Sequence, residues 1–216
     1  MGIRPGGPDD IAAVLALGDE AVKWMNARGN IQQWGTAPWT GNQKREAAIG
    51  DQARGSGMRI AEDQDGMVLG ALVITEIPQA YVPPAAEREL YVNLLLVSRR
   101  HSGQGIGAAL IEHAKQEAAA RDISLIRVDC WAGQDGSLVR IYERYGFSRV
   151  QEFTVAPGRA MAGNAARDAT GTTVTGSRKR ILPSRNSQRR DPAGEARGTP
   201  GHARPGARFA ALGPKP

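Results

Sequence analysis

The sequence lacks the features that mark secreted, metal-bound and membrane-spanning proteins. It contains one cysteine, Cys130, which excludes an internal disulfide and favours a cytoplasmic protein. Its histidines, His101, His113 and His202, show no metal-ligand spacing among themselves or with Cys130, so we expect no structural metal. No apolar run approaches the roughly 18 residues that a membrane span needs, and the first residues do not have the layout of a signal peptide. We therefore expect a cytoplasmic protein with no membrane partner.

An excess of positive charge is absent from most of the chain and is confined to its C-terminal end. The formal net charge is +6, yet residues 156–216 alone hold twelve Lys and Arg against three acidic residues. This tail is rich in Gly, Pro, Ala and Arg and has few large apolar residues, so we expect it to be disordered. Its single aromatic, Phe209, provides no stacking platform, and the tail therefore does not favour nucleic-acid binding.

Helical and strand patterns alternate along residues 1–155, which predicts one α/β domain built on a mixed sheet flanked by helices. Apolar residues recur at helical spacing from Ile11 until Gly29. The other predicted helices cover 43–54, 105–121 and 137–145, and the predicted strands cover 58–62, 67–77, 89–97, 125–131 and 148–155. We expect the domain to end at residue 155, where the basic tail begins.

The most informative segment is a buried strand that runs into a glycine-rich turn and then a helix. Residues 90–97 are mostly apolar, and Gly103, Gly105 and Gly107 follow them. Glycines let the backbone turn tightly and approach an anion, and several N–H groups are exposed at the start of the helix. The helix dipole adds a partial positive charge at the same point. The segment predicts a binding site for a phosphate-containing ligand.

Two cofactor classes fit this turn on its residues alone. Residues 103–108 satisfy the dinucleotide pattern G-x-G-x-x-G/A, and Asp129, at the end of the next strand, is placed to hold a ribose hydroxyl. A dinucleotide fold needs several further strand and helix units, however, and only a short structured stretch follows Asp129. The alternative is a nucleotide-containing cofactor held at the turn of a smaller mixed sheet.

Two motifs lie in order on consecutive predicted helices. Residues Ser102–Gly107 are similar to a loop pattern Arg/Gln-x-x-Gly-x-Gly/Ala, with serine at its first position. Residues Ile141–Phe147 are similar to a Tyr-Glu-x-x-Gly-Phe segment. Together they resemble the GNAT superfamily of acyl-CoA-dependent N-acetyltransferases, and the likeness extends over roughly residues 3–155. It implies acetyl-CoA as cosubstrate and a small-molecule or peptidyl amine as acceptor.

The resemblance implies roles for individual residues in acetyl transfer by direct attack through a tetrahedral intermediate. Tyr142 takes the position of the general acid that protonates the leaving thiolate. For the base, Glu89 and Glu76 lie at strand ends, and Glu89 is favoured. The backbone of the central strand would bind the oxyanion and the glycine turn would bind the pyrophosphate, which assigns the cofactor to Leu95, Leu96, Val97, Ser102, Gly103, Gln104, Gly105, Ile106 and Gly107.

Several aromatic residues and the cysteine have simpler interpretations. Tyr145 and Phe147 are assigned to packing, and Cys130, on an apolar strand, is assigned to the core rather than to a nucleophile. Trp34 lies in a loop, where exposed aromatic residues are unusual, and is a candidate contact for the acceptor substrate.

The resemblance has one gap, at the end of the sheet. Family members close their sheet with a final strand after the one that matches Ser148–Val155, and residues 156–216 contain no convincing candidate. The expected open edge is compatible with pairing to a second copy of the chain in a homodimer. Two alternatives to an active enzyme follow: an inactive CoA-binding or interaction module, and nucleic-acid association through the tail.

Overall fold

One seven-stranded mixed sheet organises the structure. The computed structural model describes residues 1–133, 135–155 and 159–167. The helices within these residues are α1 (Ile11–Asn26), α2 (Gln43–Arg54), α3 (Ile106–Ala120) and α4 (Ser137–Arg144). The strands are β1 (Gly2–Pro5), β2 (Met58–Glu62), β3 (Val68–Thr75), β4 (Glu89–Val97), β5 (Leu125–Trp131), β6 (Ser148–Val155) and β7 (Arg159–Arg167).

The strands lie in the order β1-β2-β3-β4-β5-β7-β6. All neighbouring pairs are antiparallel except β4 and β5, which run parallel. A parallel pair needs a crossover connection, and α3 supplies it between β4 and β5. The glycine turn that opens α3 therefore lies at the carboxyl end of the central strand.

Two apolar cores lie on opposite faces of the sheet. On β3, Leu72 and Ile74 belong to one core while Ala71 and Val73 belong to the other, as the two-residue period of a strand requires. Buried residues of α3 and α4 pack against the first face, and those of α1 and α2 pack against the second. The sheet is thus covered by helices on both sides.

The central strands separate part-way along their length. β4 pairs with β5 from Glu89 to Val92. At Asn93 the register between β3 and β4 shifts, since Ile74 pairs with Val92 and Val73 pairs with Leu94. This bulge adds one residue to β4 and bends it, as bulges do. Beyond Val92, β4 stays paired with β3 while β5 continues beside β7, which leaves an opening between β4 and β5.

Most predicted elements are confirmed, and five of them have the predicted bounds: α2, β2, β4, β5 and β6. The predicted mixed sheet flanked by helices is confirmed as well. β1, by contrast, is not indicated by the sequence pattern. It is four residues long, ends in a proline and gains its order from pairing with β2 at the sheet edge.

The expectation of a missing final strand is wrong. β7 pairs with β5 on one side and with β6 on the other, so the sheet continues past the predicted domain boundary at residue 155. Its sequence, RAMAGNAAR, is poor in the β-branched and aromatic residues that indicate a strand. Pairing on both sides outweighs that weak propensity. Residues 168–216, for which the sequence predicts disorder, lie outside the described residues.

Removing β7 should disrupt the sheet rather than shorten a tail. A chain that ends at Val155 loses the strand between β5 and β6 and exposes the edge of β5. We expect its thermal midpoint, followed by circular dichroism, to fall by roughly 10 °C or more, because each ~1 kcal/mol lost shifts the midpoint of a domain of this size by roughly 2–4 °C.

A chain that ends at Arg167 is the matched control for this truncation. It keeps β7, and we expect its midpoint to stay close to that of the full chain. Equal midpoints for the two truncated chains would contradict a stabilising role for β7.

Candidate active site

The glycine turn presents backbone N–H groups in open space. Gly103 and Gly105 have φ angles of +85° and +77°, a left-handed conformation that favours glycine. Gly105 is the N-cap of α3, and the helical hydrogen bond from Ala109 N–H to the Gly105 carbonyl opens the helix. The N–H groups of the three residues between them, 106–108, therefore have no partner within the helix.

Packing holds this helix start in place. Ile106 and Gly107 are buried, whereas Ser102, Gly103, Gln104 and Gly105 are exposed. A Cβ at Gly107 would lie 2.6 Å from the Tyr145 hydroxyl, so the glycine leaves room for Tyr145 to pack against the start of α3. The predicted cofactor loop thus combines an anchored helix end with an accessible turn.

Three residues of β4 beyond the bulge border the opening, as the resemblance implies. Leu96 is buried in the core that faces α1 and α2. Leu95 and Val97 pack against the opposite core and are partly buried. Beyond Val92 this stretch of β4 has no β5 partner, so its backbone groups on that side face the opening.

Tyr142 is buried at the end of β5, on the face covered by α3 and α4. Its ring makes edge-to-face contacts with Tyr145 and Phe147, at centroid distances of 6.2 and 5.7 Å. It shares its core with Cys130, which is buried as predicted. Burial raises the pKa of the Tyr142 phenol, and the neighbouring Cys130 and Asp129 raise it further. The hydroxyl therefore keeps its proton at neutral pH, as a general acid must.

Asp129 lies on the other face of β5, because adjacent strand residues point in opposite directions. It follows Val128, the last β5 residue paired with β4, and so stands at the opening. Its carboxylate accepts hydrogen bonds from the buried Tyr91 phenol of β4 and, at 3.5 Å, from the Tyr81 hydroxyl. Burial and the Asp129 charge raise the pKa of Tyr91, so Tyr91 remains a donor.

A chain of polar side chains surrounds the bulge. The Gln79 amide donates to the Asn93 carbonyl oxygen at 3.2 Å, and the Asn93 amide donates to the Thr75 hydroxyl at 2.7 Å. That hydroxyl donates in turn to the Ile77 carbonyl at 2.6 Å. The loop between β3 and β4, which also carries Tyr81, thereby forms a polar wall beside the opening.

Glu89, the favoured base in the sequence analysis, lies at the opposite end of β4. Its two carboxylate oxygens accept from the Arg127 guanidinium at 2.5 and 2.6 Å, and Arg127 also donates to the Pro83 carbonyl. Glu89 is 4% exposed, and this ion pair accounts for the burial of both charges. The structure gives Glu89 a structural position away from the opening, and Glu76 pairs with Arg88 and Arg121.

Sequence reasoning missed Asp129 as a candidate base because it considered this residue only as a ribose ligand. Asp129 lies at the strand end beside Cys130, and alternation along β5 could have indicated a carboxylate on the face opposite the predicted acid. The partner phenols come from Tyr91 and Tyr81, far away in sequence. Only the parallel pairing of β4 and β5 brings them together.

Trp34 lies in the connection between α1 and α2. Its ring packs against the buried Trp39 at a centroid distance of 5.0 Å. Trp39 in turn lies on Gly18 of α1, where a Cβ would be 2.4 Å from the indole. Trp34 lines a cleft of about 230 Å³ with Thr36, Arg45 and four other residues of this connection and of α2: Ile31, Gly35, Ala37 and Asn42. Its assignment to the acceptor stays a prediction.

Two further findings concern metal binding and membrane spans. No group of three His, Cys, Asp or Glu side chains is arranged to hold a metal ion in the part of the chain that the structure describes. Over the same residues, no helix combines the length and the apolar character needed to cross a bilayer.

The architecture and its motifs have counterparts among known proteins. The family model described as the acetyltransferase (GNAT) family matches residues 21–147, which include the glycine turn, Asp129 and Tyr142. The chain belongs to this family. It is therefore a GNAT-type acetyltransferase, and the family generally uses acetyl-CoA and amine acceptors. The match includes the glycine turn, and the sheet, with its single parallel pair, is the smaller mixed sheet of the second alternative rather than a dinucleotide fold.

Relatives support the same assignment. An uncharacterized N-acetyltransferase, YesJ, of Bacillus subtilis is 24% identical over 147 residues, which cover 64% of this chain and 77% of YesJ. N-acetyltransferase 8B of Rattus norvegicus is 31% identical over 102 residues, or 46% of this chain and 43% of that protein. The crystal structure of a GNAT acetyltransferase from Listeria monocytogenes shares the fold, with a TM-score of 0.58, 20% identity and coverage of 77% and 94% of the two chains.

Proposed function

We propose that this protein transfers the acetyl group of acetyl-CoA to a primary amine by direct attack, within the opening between β4 and β5. The observation that carries the proposal is the pair of groups at the end of β5, where Asp129 and Tyr142 lie on opposite faces of one strand beside that opening. In this arrangement Tyr142 can serve the CoA thiolate from one face, and Asp129 can serve the acceptor amine from the other.

The glycine turn is the proposed site of the pyrophosphate. Backbone N–H groups at the start of α3 point toward the exposed turn, and the helix dipole favours an anion there. Ser102, at the first position of the motif, brings no charge, so backbone groups carry this contact. The acyl end of the cosubstrate then extends along β4 into the opening, toward Leu95, Leu96 and Val97.

The reaction needs two proton transfers. The neutral amine nitrogen attacks the thioester carbonyl carbon, a C–N bond forms, and the carbonyl electron pair moves to the oxygen, which backbone N–H groups of β4 stabilise. The nitrogen then carries a positive charge, and Asp129 accepts its extra proton, directly or through one water. Collapse of the intermediate breaks the C–S bond, and the thiolate takes the proton of the Tyr142 hydroxyl. Exchange with solvent then removes the proton from Asp129 and returns one to Tyr142. The products are the N-acetylated amine and CoA.

Asp129 suits the base better than Glu89 because of its position. Both carboxylate oxygens of Glu89 are bonded to the Arg127 guanidinium at the far end of β4. Asp129 stands at the opening, where it accepts hydrogen bonds from the Tyr91 and Tyr81 phenols. The acceptor amine would approach from this face, along the wall that carries Tyr81 and Gln79.

Turnover of acetyl-CoA with a panel of primary amines, read as thiol release, tests the proposed activity.

Replacing each of the two candidate bases in turn shows which of them acts in the reaction. Asp129→Asn should lower kcat by roughly 10²–10⁴, while the fold is retained. Glu89→Gln should lower the free energy of unfolding by about 3–5 kcal/mol, because Arg127 loses its counter-ion, and should leave kcat of the folded enzyme near that of wild type. The opposite pattern would return the base to Glu89.

Tyr142→Phe keeps the ring contacts with Tyr145 and Phe147 but removes the proton donor. We expect kcat to fall by roughly 10²–10⁴ while the thermal midpoint changes little. Tyr145→Phe is the control, since that hydroxyl lies against Gly107 and its loss should alter KM for acetyl-CoA more than kcat. Undiminished kcat in the Tyr142→Phe variant would assign Tyr142 to packing alone.

Gly105→Val tests the turn as an anion site. The substitution forces a β-branched residue into a left-handed conformation, which costs about 1–3 kcal/mol, and fills the space that the pyrophosphate would approach. Gly66→Val, in the turn between β2 and β3, carries the same backbone strain at a φ of +80° and serves as the control. Calorimetry should show CoA affinity at least roughly tenfold weaker for Gly105→Val only. Equal affinities in the two variants would remove the turn from the site.

A further inference from the structure

Two guanidinium groups share one indole ring beside the glycine turn. Arg28, just after α1, lies 4.1 Å from the centroid of the Trp24 ring. Arg99, in the short turn that follows β4, lies 4.4 Å from the same ring. Trp24 is on the surface, 37% exposed. Each contact is an ordinary cation–π pair, but together they hold two like charges at one ring.

The acidic side chain beside this cluster, Glu20, forms its ion pair with another arginine. Glu20 forms its ion pair with Arg100 at 3.1 Å and also accepts from the Ser98 hydroxyl and the Arg99 backbone N–H. Within residues 1–133 and 135–152, whose side chains are described, neither Arg28 nor Arg99 forms an ion pair with a carboxylate. The cluster therefore carries a net positive charge, and burial together with the Arg28 charge lowers the pKa of Arg99.

The cluster adjoins the turn that the proposed function assigns to the pyrophosphate. Arg99 opens the short turn that leads into Ser102 and Gly103. Tyr145, whose hydroxyl lies at Gly107 near the start of α3, is close enough to Arg99 to raise its pKa. The guanidinium pair thus lies where the end of α1 meets the turn that leads into the glycines.

CoA carries a third phosphate, on the 3′ oxygen of its ribose. This phosphomonoester has a second pKa near 6 and is close to a dianion at neutral pH, whereas the backbone N–H groups of α3 suffice for the pyrophosphate. Guanidinium groups bind phosphate oxygens with paired hydrogen bonds. We propose that Arg28 and Arg99, oriented by Trp24, form a second phosphate subsite that binds the 3′-phosphate of acetyl-CoA. This inference rests on the proposed function.

Comparison of CoA with 3′-dephospho-CoA tests the subsite, because the two ligands differ only in the phosphate in question. Calorimetry on the full chain should give a CoA affinity at least roughly tenfold above that of 3′-dephospho-CoA. Arg28→Gln and Arg99→Gln should each weaken CoA binding by about fivefold to thirtyfold and leave 3′-dephospho-CoA binding within about twofold, since the lost charge-assisted bonds involve the absent group. Arg28→Lys, which keeps the charge, should retain part of the preference.

Arg54→Gln is the matched control, since Arg54 is exposed on α2 and pairs with Asp51. It should bind both ligands as wild type does. Equal wild-type affinities for the two ligands would overturn the subsite while the acetyltransferase activity stands. Equal weakening of both ligands by Arg28→Gln and Arg99→Gln would also overturn it and would assign the cluster to the pyrophosphate or to packing. Failure of wild type to bind either ligand would refute the proposed function together with the subsite.

Discussion

The separation of β4 from β5 is the constraint on which the candidate site depends. One extra residue at Asn93 shifts the register of β4 against β3, and the parallel pairing with β5 ends at Val92. Backbone groups of a central strand are thereby released in the interior of the sheet, where unpaired groups are otherwise costly. The bulge is held by the Gln79, Asn93 and Thr75 hydrogen bonds. A ligand that enters the opening can satisfy the released groups.

Each part of the candidate chemistry takes its position from this opening. The glycine turn follows β4 directly, so the anion-binding helix start lies at one end of it. β5 borders it on the other side and presents Asp129 and the core that contains Tyr142 on its two faces. β7 supports β5 along its whole length, from Leu125 to Trp131. The outer strands therefore contribute to the site by fixing β5 after it leaves β4.

The charged side chains of this protein include some that form close ion pairs between elements and some that lie beside the opening. Glu89 with Arg127, and Glu117 with Arg59 and Arg121, are paired at close range and join neighbouring elements. Such pairs fix the relative positions of the elements that they join. The groups proposed for chemistry lie instead beside the opening, where the Tyr91 and Tyr81 phenols donate to Asp129. Position relative to the opening is therefore what distinguishes the two candidate bases.

The sequence alone determined the local features of the site. The glycine turn, the helix that follows it, the bounds of β4 and β5 and the position of Tyr142 are all encoded by short-range patterns of glycine and apolar residues. Tertiary structure decided the rest. β7 is a strand because β5 and β6 flank it, although its small residues do not indicate one, and Glu89 is ion-paired because the parallel pairing of β4 and β5 brings Arg127 beside it. Pairing partners that are distant along the chain leave no periodicity in the sequence, and so only the folded sheet reveals them.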